Sequence, residues 1–418
     1  MEVVINPSVI GGSLFAPASK SSMQRAVAAA LLADGVSTLV NPSYSSDSIA
    51  SLEMARCLGA TITTGEDRVL VKGGFNPQCT SLDCHESGLG VRLFSSIAAL
   101  SDRKILITGR GSVMFRPMEE GFECLRSAGA GITSNGGKLP VEITGPLKGG
   151  EIVLDGTSTS QFLTGLLMAL PTLENDSRID VINLASRQYI DLTMDVMSRF
   201  GVKVQNDNYR RFSIPGKQSY IPVTYYVEGD WSGSSFILVL GAIGGCVAVR
   251  NLDKMSAQPD REIITFLRNA GAVVDDGGDI YCVSRGNLKG FSADISGCPD
   301  LAPPLVALAA YCKGKTILRG TSRLSIKESD RGKTLESEFR KIGVEITNHG
   351  DSIEIEGGRP LKGGRVSANG DHRIAMALAV AAAGASGEII IEEAESVNKS
   401  YPGFFEDFSE AGGSVKLI

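Results

Sequence analysis

The stretch Arg56–Ile62, RCLGATI, reads as a helix running out into a glycine and then a β-branched strand, and it does not stand alone. The same ending recurs as RSAGAGI at 126–132, SRFGVKV at 198–204, RNAGAVV at 268–274, RKIGVEI at 340–346 and SEAGGSV at 409–415. The glycines fall at 59, 129, 201, 271, 343 and 412, so by subtraction the intervals are 70, 72, 70, 72 and 69 residues. Each glycine sits where a helix C-terminus needs a left-handed residue, which gives the pattern a local cause. Self-similarity at a fixed period then predicts six copies of one unit.

A second feature keeps the same period. Polar residues open helices rich in Ala, Leu and Met: SKSSMQRAVAAALLA (19–33), ESGLGVRLFSSIAAL (86–100), STSQFLTGLLMAL (158–170), WSGSSFILVLGAIGG (231–245), PDLAPPLVALAAYC (299–312) and DHRIAMALAVAAAG (371–384). Helices that are small and apolar all round are core helices. The last unit stops at Ile418, whereas VVINPSVIGGSL at 3–14 resembles VEITGPLKGGEI at 141–152. The N-terminus is therefore expected to complete unit six. This predicts an α/β (α+β) chain of two three-unit domains, residues 1–18 plus 229–418 and residues 19–228, with crossings near Ala16–Ser19 and Val227–Trp231. If each domain aligns its buried helices, their N-termini face an interdomain cleft and offer a site for anions; for any single opening the alternative is a plain helix cap.

With 418 residues, 43% apolar and 21% charged, the composition is that of a soluble globular protein large enough for two or three cores. Forty-nine glycines against one tryptophan suit many tight turns. A net charge of -6 argues against nucleic acid as a partner, so any cationic site must be local. The eight cysteines form no CxxC pair and there are only three histidines, which predicts buried reduced thiols and no metal. MEVVINPSVIGG lacks a secretory pattern, so a cytoplasmic location is expected. The longest apolar run, Phe236–Val249, is short of a bilayer span and reads as a buried core helix. No apolar stripe suggests an obligate interface, so a monomer is expected.

Ser21 and Arg25 lie four apart on one helix face behind Lys20, a phosphate or carboxylate cradle in outline. Comparable short basic sites recur at Arg116 in MFRPM, Lys327 and Arg331 in KESDR, Arg373 in GDHR and Lys399 in VNKSYPG. Separate basic sites in an acidic chain are economical as one converging anion site. Asp300, in CPDLAPPL, and Glu328 are proton-transfer candidates. The alternatives are that Asp300 is a helix cap and Glu328 a surface ion-pair partner; cations beside Glu328 would oppose its use as an acid unless burial offsets them.

Taken together, PASKSSMQRA, STSQFLTGLLMA, SRQYIDLT, VEGDWSGSSF, IKESDR and GDHRIAMA resemble the 3-phosphoshikimate 1-carboxyvinyltransferase (EPSP synthase) family over essentially the whole chain. The resemblance implies a two-domain inside-out α/β barrel with three repeats per domain and its site in the interdomain cleft. It implies transfer of the enolpyruvyl group of phosphoenolpyruvate to the 5-hydroxyl of shikimate 3-phosphate, with no metal, cofactor, nucleic acid or membrane. Carried over by motif, Lys20, Ser21, Arg25, Thr159, Ser160, Gln161, Ser186, Asp300 and Lys327 would hold shikimate 3-phosphate, with Tyr189 near its ring. Lys20, Gly88, Arg116, Gln161, Arg331, Arg373 and Lys399 would hold phosphoenolpyruvate. Asp300, Glu328 and Lys20 would be catalytic, Asp300 taking the hydroxyl proton and Glu328 protonating the methylene carbon.

Three positions depart from or add to that pattern. Leu89 stands where relatives carry threonine, removing a hydroxyl beside Gly88. Arg323 stands where many have asparagine and could reach the shikimate phosphate or simply face solvent. His372 beside Arg373 could share a proton with substrate or be structural. Two rival readings remain: the sister transferase acting on UDP-N-acetylglucosamine, whose Lys-Asn pair and reactive cysteine loop are not evident here, and a catalytically dead anion-binding homologue.

Overall fold

A computed structural model describes residues 1–278 and 280–418. The chain forms two compact units, Met1–Ser19 with Glu228–Ile418, and Lys20–Val227. The mixed α/β class expected from the sequence is what each contains.

Lys20–Val227 holds three four-stranded sheets of one design. An edge strand pairs in parallel with a second, which pairs antiparallel with a third, which pairs antiparallel with a fourth. The first sheet runs Thr224–Tyr226, Val36–Val40, Arg68–Lys72, Thr61–Thr64. The next runs Ser81–Asp83, Ile105–Thr108, Val141–Thr144, Gly131–Ser134. The last runs Gly150–Asp155, Ser177–Ile182, Arg211–Ile214, Gln205–Asp207. The third strand of each sheet leads into the edge strand of the next, and Thr224–Tyr226 returns to the first, so the unit is a closed circuit.

The other unit repeats the design three times, with the N-terminal residues supplying two of the strands. Ile10–Phe15 is the parallel edge of the sheet with Gly245–Arg250, Ile280–Ser284 and Val273–Asp275. Val3–Asn6 lies between Ile389–Glu392 and Ser414–Leu417, with Gly364–Ser367 at the far edge. The sheet of Ser292–Asp294, Gly314–Arg319, Ser352–Gly357 and Glu345–Asn348 completes the set. Strand alternation does the packing: Val69 and Val71, or Ile353 and Ile355, point inward while their neighbours face out.

The helices follow from composition. Trp231–Gly244, Ala302–Tyr311 and His372–Ala383 pack on one another within their unit. Every residue of His372–Ala383 is buried, and its many alanines permit close approach. In Lys20–Val227 the helix Gly88–Ala98 packs along Gln161–Ala169 and touches Lys20–Leu32. The six marker glycines all have positive φ, from 84° to 117°. At each, the glycine N–H donates three residues back and the next N–H donates five back, as from Gly271 to Arg268 and Ala272 to Leu267, which satisfies two carbonyls that the helix end would otherwise leave open.

Two expectations need correction. Phe236–Val249 is not one helix: the helix ends at Gly244, and Gly245–Arg250 is a strand in which Val247 and Val249 are buried on alternate positions. Tandem glycines break the helix, and the alternation that follows suits a sheet. Nor are all cysteines buried: all eight are free, but Cys246 is exposed and Cys57, Cys79 and Cys282 are half-buried. Cys246 follows the parity of its strand, facing outward beside the inward Val247.

Candidate active site

The 231–418 segment gathers four of the expected cations around three carboxylates. Asp300 lies in the short turn Pro299–Leu301 that leads into the helix Ala302–Tyr311. It caps nothing there. Its Oδ1 accepts from Lys327 Nζ at 3.2 Å and Arg331 Nη1 at 3.0 Å, and its Oδ2 faces Arg373 Nη2 at 3.1 Å. Glu328 is likewise not a surface group: Oε2 accepts from Arg331 Nη2 at 2.6 Å and Oε1 is 3.9 Å from Lys399 Nζ, with both side chains nearly buried.

The third carboxylate, Asp371, was not among the residues expected from sequence. It has no solvent exposure and serves the two arginines together. Oδ2 accepts from Arg331 Nε at 2.9 Å and Ser329 Oγ at 3.1 Å; Oδ1 accepts from Arg331 Nη2 at 3.1 Å and the Arg373 backbone N–H at 3.0 Å. The last bond caps the helix His372–Ala383. Arg373 Nη1 donates to Ser232 Oγ at 2.6 Å. His372 is buried, with Nδ1 3.8 Å from Asp371 Oδ1. Arg323 is partly exposed, donates to the Ser296 carbonyl and adds its charge to those that disfavour the Lys327 ammonium.

These distances set the electrostatics. Burial by itself would raise the Asp300 carboxyl, but Arg373, Lys327 and Arg331 outweigh it and hold the group well below the usual carboxylate range. Burial pulls the Lys327 ammonium down, with Asp300 opposing and Arg331 adding to the effect. For Arg331 burial also disfavours the charge, yet Asp371, Glu328 and Asp300 more than offset it and raise the guanidinium above its ordinary value. With four cationic side chains to three carboxyl groups, the cluster is suited to receive an anion.

Lys20–Val227 carries the rest of the expected set. Lys20 opens the helix Lys20–Leu32, and its Nζ meets Asp47 Oδ2 at 3.0 Å. Arg25 is buried: Nε donates to Thr193 Oγ1 at 2.9 Å, Nη1 to the Ser21 carbonyl at 2.8 Å and Nη2 to the Tyr189 carbonyl at 3.3 Å. Burial brings its pKa down to about 10, with Tyr189 and Tyr225 opposing. Gln161 begins its helix and accepts through Oε1 from Arg92 Nη1 at 2.9 Å; the same nitrogen donates to the Gly88 carbonyl at 3.0 Å. Gly88 also packs against Arg116, because a Cβ there would lie 2.6 Å from Arg116 Nη1. Thr159 Oγ1 accepts from the Gln161 N–H at 3.2 Å. Ser160 and Ser186 are buried, Ser186 with φ 51°, and Leu89 is buried too. Sequence reasoning passed over Asp47, Arg92 and Thr193. Of these only Arg92 carried a signal, a lone arginine inside an apolar core helix.

No group of His, Cys, Asp and Glu suited to a metal ion occurs among the described residues. Repeated α/β units that gather ion-paired lysines, arginines and carboxylates at helix openings define an enzyme that works on small anions. The comparisons make this specific. Residues 4–408 match the family model described as EPSP synthase (3-phosphoshikimate 1-carboxyvinyltransferase). The 3-phosphoshikimate 1-carboxyvinyltransferase of Clostridium kluyveri is 40% identical over 416 residues, 99% of this chain and 98% of the relative. That of Aeropyrum pernix is 39% identical over 417 residues, 100% of this chain and 97% of the relative. The solved EPSP synthase of Acinetobacter baumannii superposes with a TM-score of 0.84 at 27% identity, covering 100% of both chains. The chain belongs to the EPSP synthase family.

Proposed function

We propose that this chain transfers the enolpyruvyl group of phosphoenolpyruvate to the 5-hydroxyl of shikimate 3-phosphate and releases phosphate, a step towards aromatic amino acids. The observation that carries the reading is the Asp300 carboxylate, held ionised between Lys327, Arg331 and Arg373. An ionised, nearly buried acceptor ringed by cations suits taking a proton while anions bind alongside.

When substrate phosphate and carboxylate groups share those cations, the attraction holding the Asp300 proton affinity down weakens, and the carboxylate becomes a better base when needed. Asp300 then takes the 5-hydroxyl proton, and the oxygen attacks C2 of phosphoenolpyruvate. Glu328, protonated from solvent once the substrate anions have drawn Arg331 from it, delivers that proton to the C3 methylene. The C2–O bond to phosphate then breaks, phosphate leaves with the bonding pair, and the Glu328 carboxylate takes back a methyl proton, which forms the enol ether. Lys20, Arg116, Arg331, Arg373 and Lys399 would hold phosphoenolpyruvate with Gly88 and Gln161. Lys20, Ser21, Arg25, Thr159, Ser160, Gln161, Ser186, Asp300, Arg323 and Lys327 would hold shikimate 3-phosphate near Tyr189. On this reading residues 1–18 with 229–418 and residues 19–228 both supply groups to one reaction, in a cytoplasmic monomer without metal or cofactor. Among the described residues no helix is long and apolar enough to cross a membrane.

The test is phosphate release from phosphoenolpyruvate with shikimate 3-phosphate or UDP-N-acetylglucosamine as acceptor. Release is expected only with the former, falling by about 100-fold or more in Asp300→Ala, the scale of a lost general base. Release with the sugar nucleotide would move the chain to the sister activity. Tight binding of shikimate 3-phosphate without turnover would leave an anion-binding homologue and point to Leu89.

A further inference from the structure

Asp47 sits in the first turn of the helix Ser46–Cys57, a favourable place for a carboxylate, and is only 4% exposed. One oxygen, Oδ2, takes the Lys20 ammonium at 3.0 Å; the other, Oδ1, is buried with no hydrogen-bond partner. The Asp47 main chain is held in turn by Gln24, whose Nε2 donates to the Asp47 carbonyl at 3.2 Å and to Ser87 Oγ at 2.8 Å. Ser87 Oγ accepts from the Gly90 N–H and so caps the helix that begins at Gly88. Gln24 lies one turn beyond Lys20 on the same helix.

A buried carboxylate with only one of its oxygens engaged is costly, because each unmade bond forfeits solvation. Packing alone does not account for it: an apolar residue would fill the space without that cost. The chain through Gln24 ties the Asp47 main chain to the helices that open at Lys20 and Gly88, which are both expected phosphoenolpyruvate contacts. We propose that Asp47 is a positioning residue for enolpyruvyl transfer, holding the Lys20 ammonium at one point for the phosphate that departs. This rests on the activity proposed above. Long lysine side chains otherwise sample many rotamers, and a misplaced cation stabilises the transition state less than the bound substrate.

The experiment is a double-mutant cycle on steady-state phosphate release, with shikimate 3-phosphate binding measured separately by calorimetry. Asp47→Asn, which keeps the shape, and Asp47→Ala are each combined with Lys20→Met. The single Asp47 variants are expected to lose about 10- to 100-fold in kcat, while affinity for shikimate 3-phosphate changes less than about threefold. In the double variants, the loss should be no greater than that of Lys20→Met alone, since residues acting as a unit are not additive. Asp47→Glu should recover part of the loss. Additive losses, or equal losses in kcat and in binding, would assign Asp47 a merely structural role and overturn the proposal. A wild type that turns over with additive variants sinks this inference alone; a wild type that releases no phosphate sinks the activity and this inference with it.

Discussion

Asp371 shows how much can hang on one buried side chain. It meets Arg331 through two guanidinium nitrogens and receives the Arg373 N–H, so its loss would leave a fully buried guanidinium short of the carboxylate that engages two of its nitrogens. Removing one member of a buried pair costs about 3–5 kcal/mol. Asp371→Ala is therefore expected to lose stability on that scale in urea unfolding and to raise the KM for phosphoenolpyruvate, whereas exposed Lys333→Ala should change neither, since surface pairs contribute about 0–1 kcal/mol. Asp300 makes a prediction in pH. Its folded pKa lies below the unfolded value of about 3.9, so it contributes stability that is present above that value and lost as pH falls through the folded pKa. Acid titration followed by circular dichroism should show that the stability of Asp300→Asn depends less steeply on pH below about 4 than that of the wild type. The cations of this cluster were legible as sequence because lysine and arginine beside glycine or proline have few structural reasons to be there. Asp371 and Asp47 were not, since an aspartate at a helix start reads as a cap, and Asp371 is indeed one; its second task exists only in three dimensions.

At the scale of elements, helix endings carried the clearest signal. A left-handed residue leaves little choice but glycine, so the period could be read directly, while apolar content alone merged the helix Trp231–Gly244 with the strand Gly245–Arg250. Gly271 and Gly314 make a controlled test, because both have φ 89°. A Cβ at Gly271 would stand 2.4 Å from the Asn287 carbonyl oxygen, whereas at Gly314 it would meet nothing within 4 Å. Alanine at Gly314 should cost about 1–2 kcal/mol, the strain of the left-handed conformation. Alanine at Gly271 should cost measurably more in the same urea titration, and equal costs would mean that the helix ending shifts to absorb the clash.

For the whole molecule, the ends of the chain meet. The Glu2 N–H donates to the Ile418 carbonyl and the Ile418 N–H donates back, at 3.2 and 2.9 Å. A chain joined from 418 to 1 by a short glycine linker and reopened in the turn at Gly136–Gly137 should keep phosphate release within a few fold, since neither change cuts a sheet. Removing residues 1–6 should by contrast prevent folding of its unit, as the strand Val3–Asn6 divides Ile389–Glu392 from Ser414–Leu417.

That same strand bears on how the protein is made. Val3–Asn6 leaves the ribosome ahead of Lys20–Val227, yet both of its neighbours in the sheet, Ile389–Glu392 and Ser414–Leu417, follow only after that unit. At about 5–20 residues per second the wait is roughly 20–80 s, during which Lys20–Val227 can complete its own circuit. Throughout that interval a nascent chain carries an apolar, unpaired strand ahead of its first complete unit, and shielding it falls to whatever binds the nascent chain.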